Sequence, residues 1–361
     1  MLEHLPSRWR LRAGVIAVAV TLTLLPFVAA NVGNSWVRIL DFALLYVMLA
    51  LGLNIVVGYA GLLDLGYIAF YAVGAYCYAL ASSPHLTENF AFLAQIWPAG
   101  LHVSIWVILP LGALLAAAFG VLLGAPTLKL RGDYLAIVTL GFGEIIRIFM
   151  NNLNAPLNLT NGPQGISNID ALSLFGVSLG KPVTLGSWPI SSLVLYYFVF
   201  LGLTLLIILV SLRLQDSRLG RAWVAIREDE VAARAMGIDT RNVKLLAFAL
   251  GASFGGISGA LFAAFQGFVS PESFNLNESI VIVAMVVLGG MGHVPGVVLG
   301  AVLLYAIPEV LRHWAKPAQE FLFGAEWVPA EALRMLLFGL SLVLIMLLRP
   351  SGLWPLPRQH R

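Results

Sequence analysis

Long apolar runs recur along this chain, and most of the polar stretches between them are short. A run of about 20 mostly apolar residues can cross about 30 Å of hydrocarbon as a helix. The 361 residues are 60% hydrophobic and only 11% charged, whereas globular domains contain about 25% charged residues. The pattern predicts an all-α polytopic membrane protein in which residues 1–361 form a single transmembrane domain.

The apolar runs predict about ten transmembrane helices. We place them at 13–30, 39–58, 64–81, 104–124, 134–152, 191–212, 245–268, 279–290, 296–311 and 333–348. The eighth and ninth runs are short, so eight or nine spans are alternatives, and the sequence does not establish whether both runs cross fully. The first run, which follows Arg8, Arg10 and Arg12, also fits a signal peptide. We interpret it as an uncleaved span because it is long and other spans follow.

The distribution of Lys and Arg predicts the orientation. With ten spans, fifteen of the 21 Lys and Arg residues fall on the side of the amino terminus. The positive-inside rule makes that side cytoplasmic and places both termini there. The same bias explains the net charge of +3 without nucleic acid. The six residues expected at or near the outer side are Arg38, Arg147, Lys181, Arg312, Lys316 and Arg334.

The longest charged stretch, which we call the charged segment, runs from Ser217 to Lys244 between two apolar runs. It predicts short helices at 220–227 and 228–236, with Gly237 as a left-handed stop and Asp239 or Thr240 capping the next span. One interpretation is a docking surface anchored by Trp223, with Arg221, Arg227 and Arg234 in ion pairs. The other is an ordinary basic inner loop.

Three further groups are candidates for a translocation path. Glu144 and Arg147 lie on one helix face at membrane depth, where charge is costly. The alternative, which we prefer because the pair cancels its own charge, is a structural ion pair near the outer end of the span. Asn54, Gly58 and Asp64 lie at a glycine-rich break that exposes backbone groups or permits tight packing. Gly289 and Gly290 mark a second break or an inner turn.

The outer loop, 153–189, is rich in Asn, Gly, Pro and Ser and is expected to be a surface cap or docking surface.

Several motifs resemble those of branched-chain amino acid permeases of the LivM type. The charged segment resembles their coupling loop, here 213–244, which normally has Glu-Ala-Ala followed by Gly four residues later. This chain has Glu230-Val231-Ala232-Ala233 and Gly237, with one extra residue after the Glu. The residues matched to the ATPase-docking loop are Gly220, Arg221, Ala222, Trp223, Arg227, Glu228, Asp229, Glu230, Ala233 and Gly237. Further likenesses lie at 51–61, 130–144, 268–274, 287–292 and 349–353, so they cover most of the chain.

The resemblance implies an ABC importer permease fold and a permease subunit that translocates Leu, Ile or Val across a bacterial inner membrane. It implies four kinds of partner besides the lipid bilayer: a homologous second permease, two ABC ATPases and a periplasmic substrate-binding protein. The chain has no G-x-x-x-x-G-K-[ST] phosphate loop. We therefore expect no cofactor bound by this chain, with ATP used by the partner subunits.

Other functions fit these residues less well. Related permeases carry urea or short amides, and no residue excludes them. An ion-coupled secondary amino-acid transporter would use Asp64, Glu144 and Arg147 as its charged sites. We find no catalytic nucleophile with its base and no metal-ligand spacing.

A stripe of small residues predicts helix packing inside the chain or contact with a second permease subunit. It consists of Gly251, Gly255, Gly256, Gly259 and Ala263.

Overall fold

The computed structural model describes residues 7–323 except 99, 131, 175–176 and 186–187. Beyond them it describes 329, 332, 336, 339–340, 343, 347–349 and 352–354. The predicted span at 333–348 therefore lies largely outside the described residues, as do Arg131, Arg334, Arg358 and Arg361.

The described residues form a bundle of α-helices with two small β-hairpins. The helices are α1 (Ser7–Val32), α2 (Asn34–Asn54), α3 (Ile68–Ala81), α4 (His85–Asn89), α5 (Ala91–Ile96), α6 (Ile105–Thr127), α7 (Asp133–Asn152), α8 (Ser192–Gln215), α9 (Arg218–Glu228), α10 (Glu230–Ala235), α11 (Thr240–Gln266), α12 (Leu276–Gly289) and α13 (Val294–Phe323). A π-helical turn, Ile55–Tyr59, extends α2, and 3-10 turns lie at Gly162–Gln164 and Pro271–Ser273. The antiparallel hairpins pair β1 (Ser173–Leu174) with β2 (Val177–Ser178) and β3 (Val183–Leu185) with β4 (Trp188–Ile190).

Six helical stretches in the described part of the chain are long and apolar enough to cross a membrane. They are Asn34–Tyr59, Ile105–Thr127, Ser192–Gln215, Thr240–Gln266, Pro271–Gly289 and Val294–Trp314, and shorter apolar helices lie at Ile16–Val32 and Ile68–Ala81. The predicted span 134–152 forms as α7, whose polar residues leave it less apolar than these. The chain is thus an all-α polytopic membrane protein, while the division into a single domain stays a prediction.

Several predicted spans have different bounds in the structure: α1, α2 and α11 begin five or six residues before the predicted positions. Two other differences have a clear physical reason. The third span begins at Ile68 rather than at residue 64, because the Asp64 carboxylate accepts the Gly66 amide and so forms a turn. The ninth span was predicted to end at 311, but α13 continues to Phe323. Hydropathy locates the apolar part of a helix, whereas hydrogen bonding continues through polar residues such as Arg312.

The turn that precedes α12 gives the short eighth span enough length to cross a membrane. The 14 residues of α12 extend over about 21 Å at 1.5 Å per residue, which is less than the hydrocarbon thickness of about 30 Å. The 3-10 turn Pro271–Ser273 precedes it and brings the stretch Pro271–Gly289 to 19 residues. The ninth span, α13, has 30 residues and needs no such extension.

Helices α2 and α11 form the centre of the bundle. Helix α11 packs on α6, α3 and α2, and α2 also packs on α13 and α8. The glycine stripe of α11 faces these neighbours: Gly251 lies against Val56, and Gly256 lies against Ala116 of α6. The stripe therefore packs inside the chain, which favours the first of the two interpretations drawn from the sequence.

Polar contacts gather at two opposite ends of the bundle. At one, the hairpin end, Asp170 N donates to Ser82 O (2.8 Å) and Ile166 N to Val269 O (2.8 Å). At the other, the charged end, the charged segment packs on the π-helical turn that extends α2 and on α11. Segment 153–189 belongs to the hairpin end, so it lies opposite the charged segment, as the alternation of spans predicts.

Candidate functional site

The charged segment is folded, and its first helix is amphipathic. The Ser217 hydroxyl accepts the Gly220 amide (3.1 Å) and caps α9. Gly220, Trp223 and Ile226 recur every three residues and are the buried residues of this helix. Helix α9 therefore lies with one face on the bundle and its charged face outward.

A second short helix follows immediately because the Asp229 carboxylate acts as its cap. Asp229 accepts the amides of Val231 (2.8 Å) and Ala232 (3.0 Å) and so starts α10. Gly237, at φ +85°, ends this stretch in the left-handed conformation that favours glycine. Asp239 then accepts the Asn242 amide (3.2 Å) at the start of α11. The predicted stop at Gly237 and the predicted cap at Asp239 are both confirmed.

Two side chains of α9 contact the end of α2. Trp223 is fully buried; its indole N–H donates to Val243 O (2.7 Å) and its ring stacks on Tyr59, with centroids 6.4 Å apart. The Arg227 guanidinium donates to the carbonyl oxygen of Gly58 in the π-helical turn. A buried indole cannot anchor an external partner in this conformation. Trp223 and Arg227 instead connect the charged segment to α2.

Two apolar side chains of the segment are more than two-thirds exposed. Met236 is 83% and Val231 is 70% exposed, and Arg221 and Glu228 are also exposed. Sequence reasoning missed Val231 and Met236, although two large apolar residues in a charged stretch are a recognisable signal. Exposed apolar groups with charges around them are typical of a protein contact.

Glu230 faces the bundle rather than a partner. Its carboxylate pairs with Lys244 Nζ (2.8 Å) and with an Arg234 guanidinium nitrogen (3.3 Å). Lys244 is nearly buried, so Glu230 compensates a cation at the start of α11. The inferred ion pair of Arg234 exists, but its partner lies within the segment itself.

The two glycine breaks predicted as path candidates pack against each other. Asn54 is buried, and its side-chain oxygen accepts the Gly292 amide (2.8 Å). Gly58 lies close to the Asn54 side chain and to Gly292, so a Cβ added to Gly58 would be 2.6 Å from Gly292 N. Around Gly289 and Gly290 the backbone similarly contacts Gly296 and Gly352. The structure therefore assigns close packing to these glycines.

Asp64 lies in a buried link between α2 and α3. Its Oδ1 atom accepts the Gly66 amide (2.9 Å), and Oδ2 has no hydrogen-bond partner among the described residues. The neighbouring Leu65 donates through its amide to the Thr139 hydroxyl (3.0 Å) and accepts from the Ser279 hydroxyl (2.5 Å). This link joins α7 and α12 directly beside the π-helical turn.

The pair Glu144 and Arg147 lies on α7, near the hairpin end. Arg147 Nε lies 2.8 Å from Glu144, and Arg147 Nη1 lies 3.0 Å from Glu272. One cation therefore sits between two carboxylates, which supports the interpretation as a structural ion pair. Among the described residues, the hydrogen bonds and ion pairs of this pair involve Glu272 and not Asp64, Asn54 or the charged segment.

Sequence reasoning also missed Asp41 in α2. This side chain is fully buried, and neither carboxylate oxygen has a hydrogen-bond partner among the described residues. An acidic residue inside a predicted span was the available signal. The structure places Asp41 on the hairpin-end half of α2, away from the charged segment.

Comparisons with known proteins agree on one class. The family described as "Branched-chain amino acid transport system / permease component" matches residues 35–346. The high-affinity branched-chain amino acid transport system permease protein LivM of Escherichia coli K12 is 42% identical over 356 residues, covering 95% of this chain and 75% of that protein. The probable LivM of Methanocaldococcus jannaschii is 28% identical, covering 86% and 90%. The LivH permease of Escherichia coli K12 is 23% identical, covering 88% and 93%. No solved structure matches this chain.

Proposed function

Since this chain belongs to the family of branched-chain amino acid transport permease components, we propose that it is one membrane subunit of an ABC importer for leucine, isoleucine and valine. The observation that carries the proposal is the folded charged segment, which rests on α2 and α11 and exposes Val231 and Met236. Such a surface suits a soluble ATPase that docks at the charged end. Closure of the ATPases would push on α9 and α10.

The partner subunits follow from the same proposal. LivM and LivH are both similar to this chain, which supports a homologous permease as the second membrane subunit. The sequence has no phosphate-loop motif, so two separate ATPases would bind and hydrolyse ATP. The bias of Lys and Arg supports a cytoplasmic charged end and cytoplasmic termini. A periplasmic binding protein would then deliver substrate to the hairpin end, with the protein in a bacterial inner membrane.

Charge compensation disfavours an ion-coupled mechanism. Arg147 lies between Glu144 and Glu272, so both carboxylates are engaged by one guanidinium rather than open to a transported ion. Substrate would pass between the two permease subunits, so the chain alone need not hold a complete substrate site.

Transport in proteoliposomes tests the function directly. We expect the chain, reconstituted with its second permease, ATPases and binding protein, to take up leucine, isoleucine and valine only when ATP is supplied. Urea and acetamide serve as alternative substrates. Uptake by the chain without ATPases, or uptake that collapses with the proton gradient, would contradict the proposal. ATP-driven uptake of urea but not of leucine would contradict only the proposed substrate and would leave the assignment as an ABC importer unchanged.

Co-purification tests the docking surface separately. The double variant Val231→Asp with Met236→Asp places two charges on the exposed apolar patch, where burial of an unpaired charge is costly. We expect it to lose the ATPases that accompany the wild type. Val177→Asp is the matched control, because Val177 is 49% exposed at the hairpin end. Equal ATPase recovery from the double variant and the control would show that docking occurs elsewhere.

A further inference from the structure

A cavity of about 510 Å³ opens beside the charged segment. The carboxyl-terminal end of α6, the start of α11 and the helix α10 form its walls. Its lining includes four cations, Lys129, Arg234, Arg241 and Lys244, and one carboxylate, Glu230. The cavity therefore has a formal excess of positive charge.

Only two of these cations are compensated. Glu230 holds Lys244 at 2.8 Å and Arg234 at 3.3 Å. Lys129 and Arg241 are exposed and form no ion pair within the described part of the chain. Two uncompensated cations facing one cavity create a site for an anion.

The position of the cavity indicates the kind of anion. It lies where α6 ends and α11 begins, and the ends of membrane-spanning helices reach the lipid headgroups. Ala125 and Leu128 add apolar surface to its wall. Leu122 is 66% exposed, and its spacing of three residues from Ala125 and seven from Lys129 puts it on the same face of α6. A charged headgroup and an apolar tail therefore both find a complementary surface.

We propose that this cavity binds the phosphate headgroup of an anionic phospholipid, with Lys129 and Arg241 as its main contacts. The lipid would bridge α6 and α11 beside α10, so the lipid would stabilise the position of the charged segment. The assignment does not depend on the transported substrate. It requires only that the charged end lies at a membrane surface.

Native mass spectrometry of the full chain, purified with its accompanying subunits, tests this site. The probes are phosphatidylglycerol as the anionic lipid and phosphatidylethanolamine as the zwitterionic one. A basic residue near an anionic surface changes lipid affinity about fivefold, so we expect Lys129→Gln with Arg241→Gln to weaken phosphatidylglycerol binding about 25-fold. Phosphatidylethanolamine should bind weakly to both proteins. Neither substitution strands a buried carboxylate, because neither cation is paired.

A matched control removes the same charge elsewhere. Arg213 and Arg218 are exposed at the charged end but do not line the cavity, so Arg213→Gln with Arg218→Gln should leave phosphatidylglycerol binding unchanged. Equal loss in both double variants would overturn the site. Equal affinity for inorganic phosphate and phosphatidylglycerol would make it a free-phosphate site. If Lys129→Gln with Arg241→Gln lost ATPase co-purification but kept its lipid binding, the cavity would be a contact with a partner protein. Either result would overturn the lipid assignment.

Discussion

Substituting alanine for Gly74 will force α3 away from α11 and strongly lower the stability of the bundle. An added Cβ at Gly74 would lie 2.6 Å from the Gly256 Cα atom and closer still to its carbonyl oxygen. Backbone atoms inside two packed helices cannot rotate aside, so we expect a cost at or above the upper end of the roughly 1–3 kcal/mol usual for overpacking. For a chain of 361 residues, thermal unfolding in detergent should then show a midpoint lower by roughly 4 °C or more.

The control for Gly74 is a helical glycine that touches nothing. Gly202 lies within α8, and apart from the neighbouring backbone of its own helix no atom of the described residues lies within 4 Å of an added Cβ there. Alanine favours the helix over glycine by about 1 kcal/mol, so Gly202→Ala should unfold at the same or a slightly higher temperature. Equal midpoints for Gly74→Ala and Gly202→Ala would show that α3 and α11 separate without cost, contrary to the packing described.

Replacing Arg227 by methionine should abolish most transport without releasing the ATPases. The guanidinium of Arg227 donates to the Gly58 carbonyl, while its aliphatic stem covers Gly61. Methionine keeps an apolar stem over Gly61 but removes the donor. Hydrogen bonds to charged groups contribute about 1.5–3 kcal/mol, so we expect transport to fall roughly tenfold to a hundredfold. The physical reason is that α9 would move without moving the π-helical turn of α2.

Two measurements on the same preparation separate this effect from misfolding and from lost docking. ATPase recovery and ATP hydrolysis should stay near wild type in Arg227→Met, while amino-acid uptake falls. Arg218→Met is the control, because Arg218 is an exposed arginine on the same helix and has no hydrogen bond to α2. Uptake that falls together with ATPase recovery would assign Arg227 to docking. Normal uptake would show that coupling does not pass through Gly58.

Local features of the charged segment were predictable because they depend on neighbouring residues. Glycine after a short helix predicts a left-handed stop, and an aspartate before a span predicts a cap. Gly237 and Asp239 have these conformations. The apolar runs likewise predicted most helices, since hydrophobic length is a property of a continuous stretch. The bounds of α3 and α13 were wrong where hydrogen bonding, rather than hydropathy, sets the end of a helix.

The direction in which each candidate residue points was not predictable from these patterns. Trp223 fits an exposed anchor in sequence, yet it is buried against Tyr59. The Glu144–Arg147 pair acquires its second carboxylate from Glu272, more than 100 residues away along the chain. Such contacts depend on which helices become neighbours, and a single apolar run does not specify its neighbour.

By itself, the sequence determined the membrane class, most of the helices, the caps of the charged segment and the likeness to a permease family. The tertiary structure alone decided that Arg227 meets Gly58, that Gly74 meets Gly256, and that Lys129 and Arg241 face one cavity. Short-range rules act over a few residues, since a turn or cap is complete within them. Contacts between distant segments exist only after the helices have packed, because packing selects among many neighbours that hydropathy leaves equivalent.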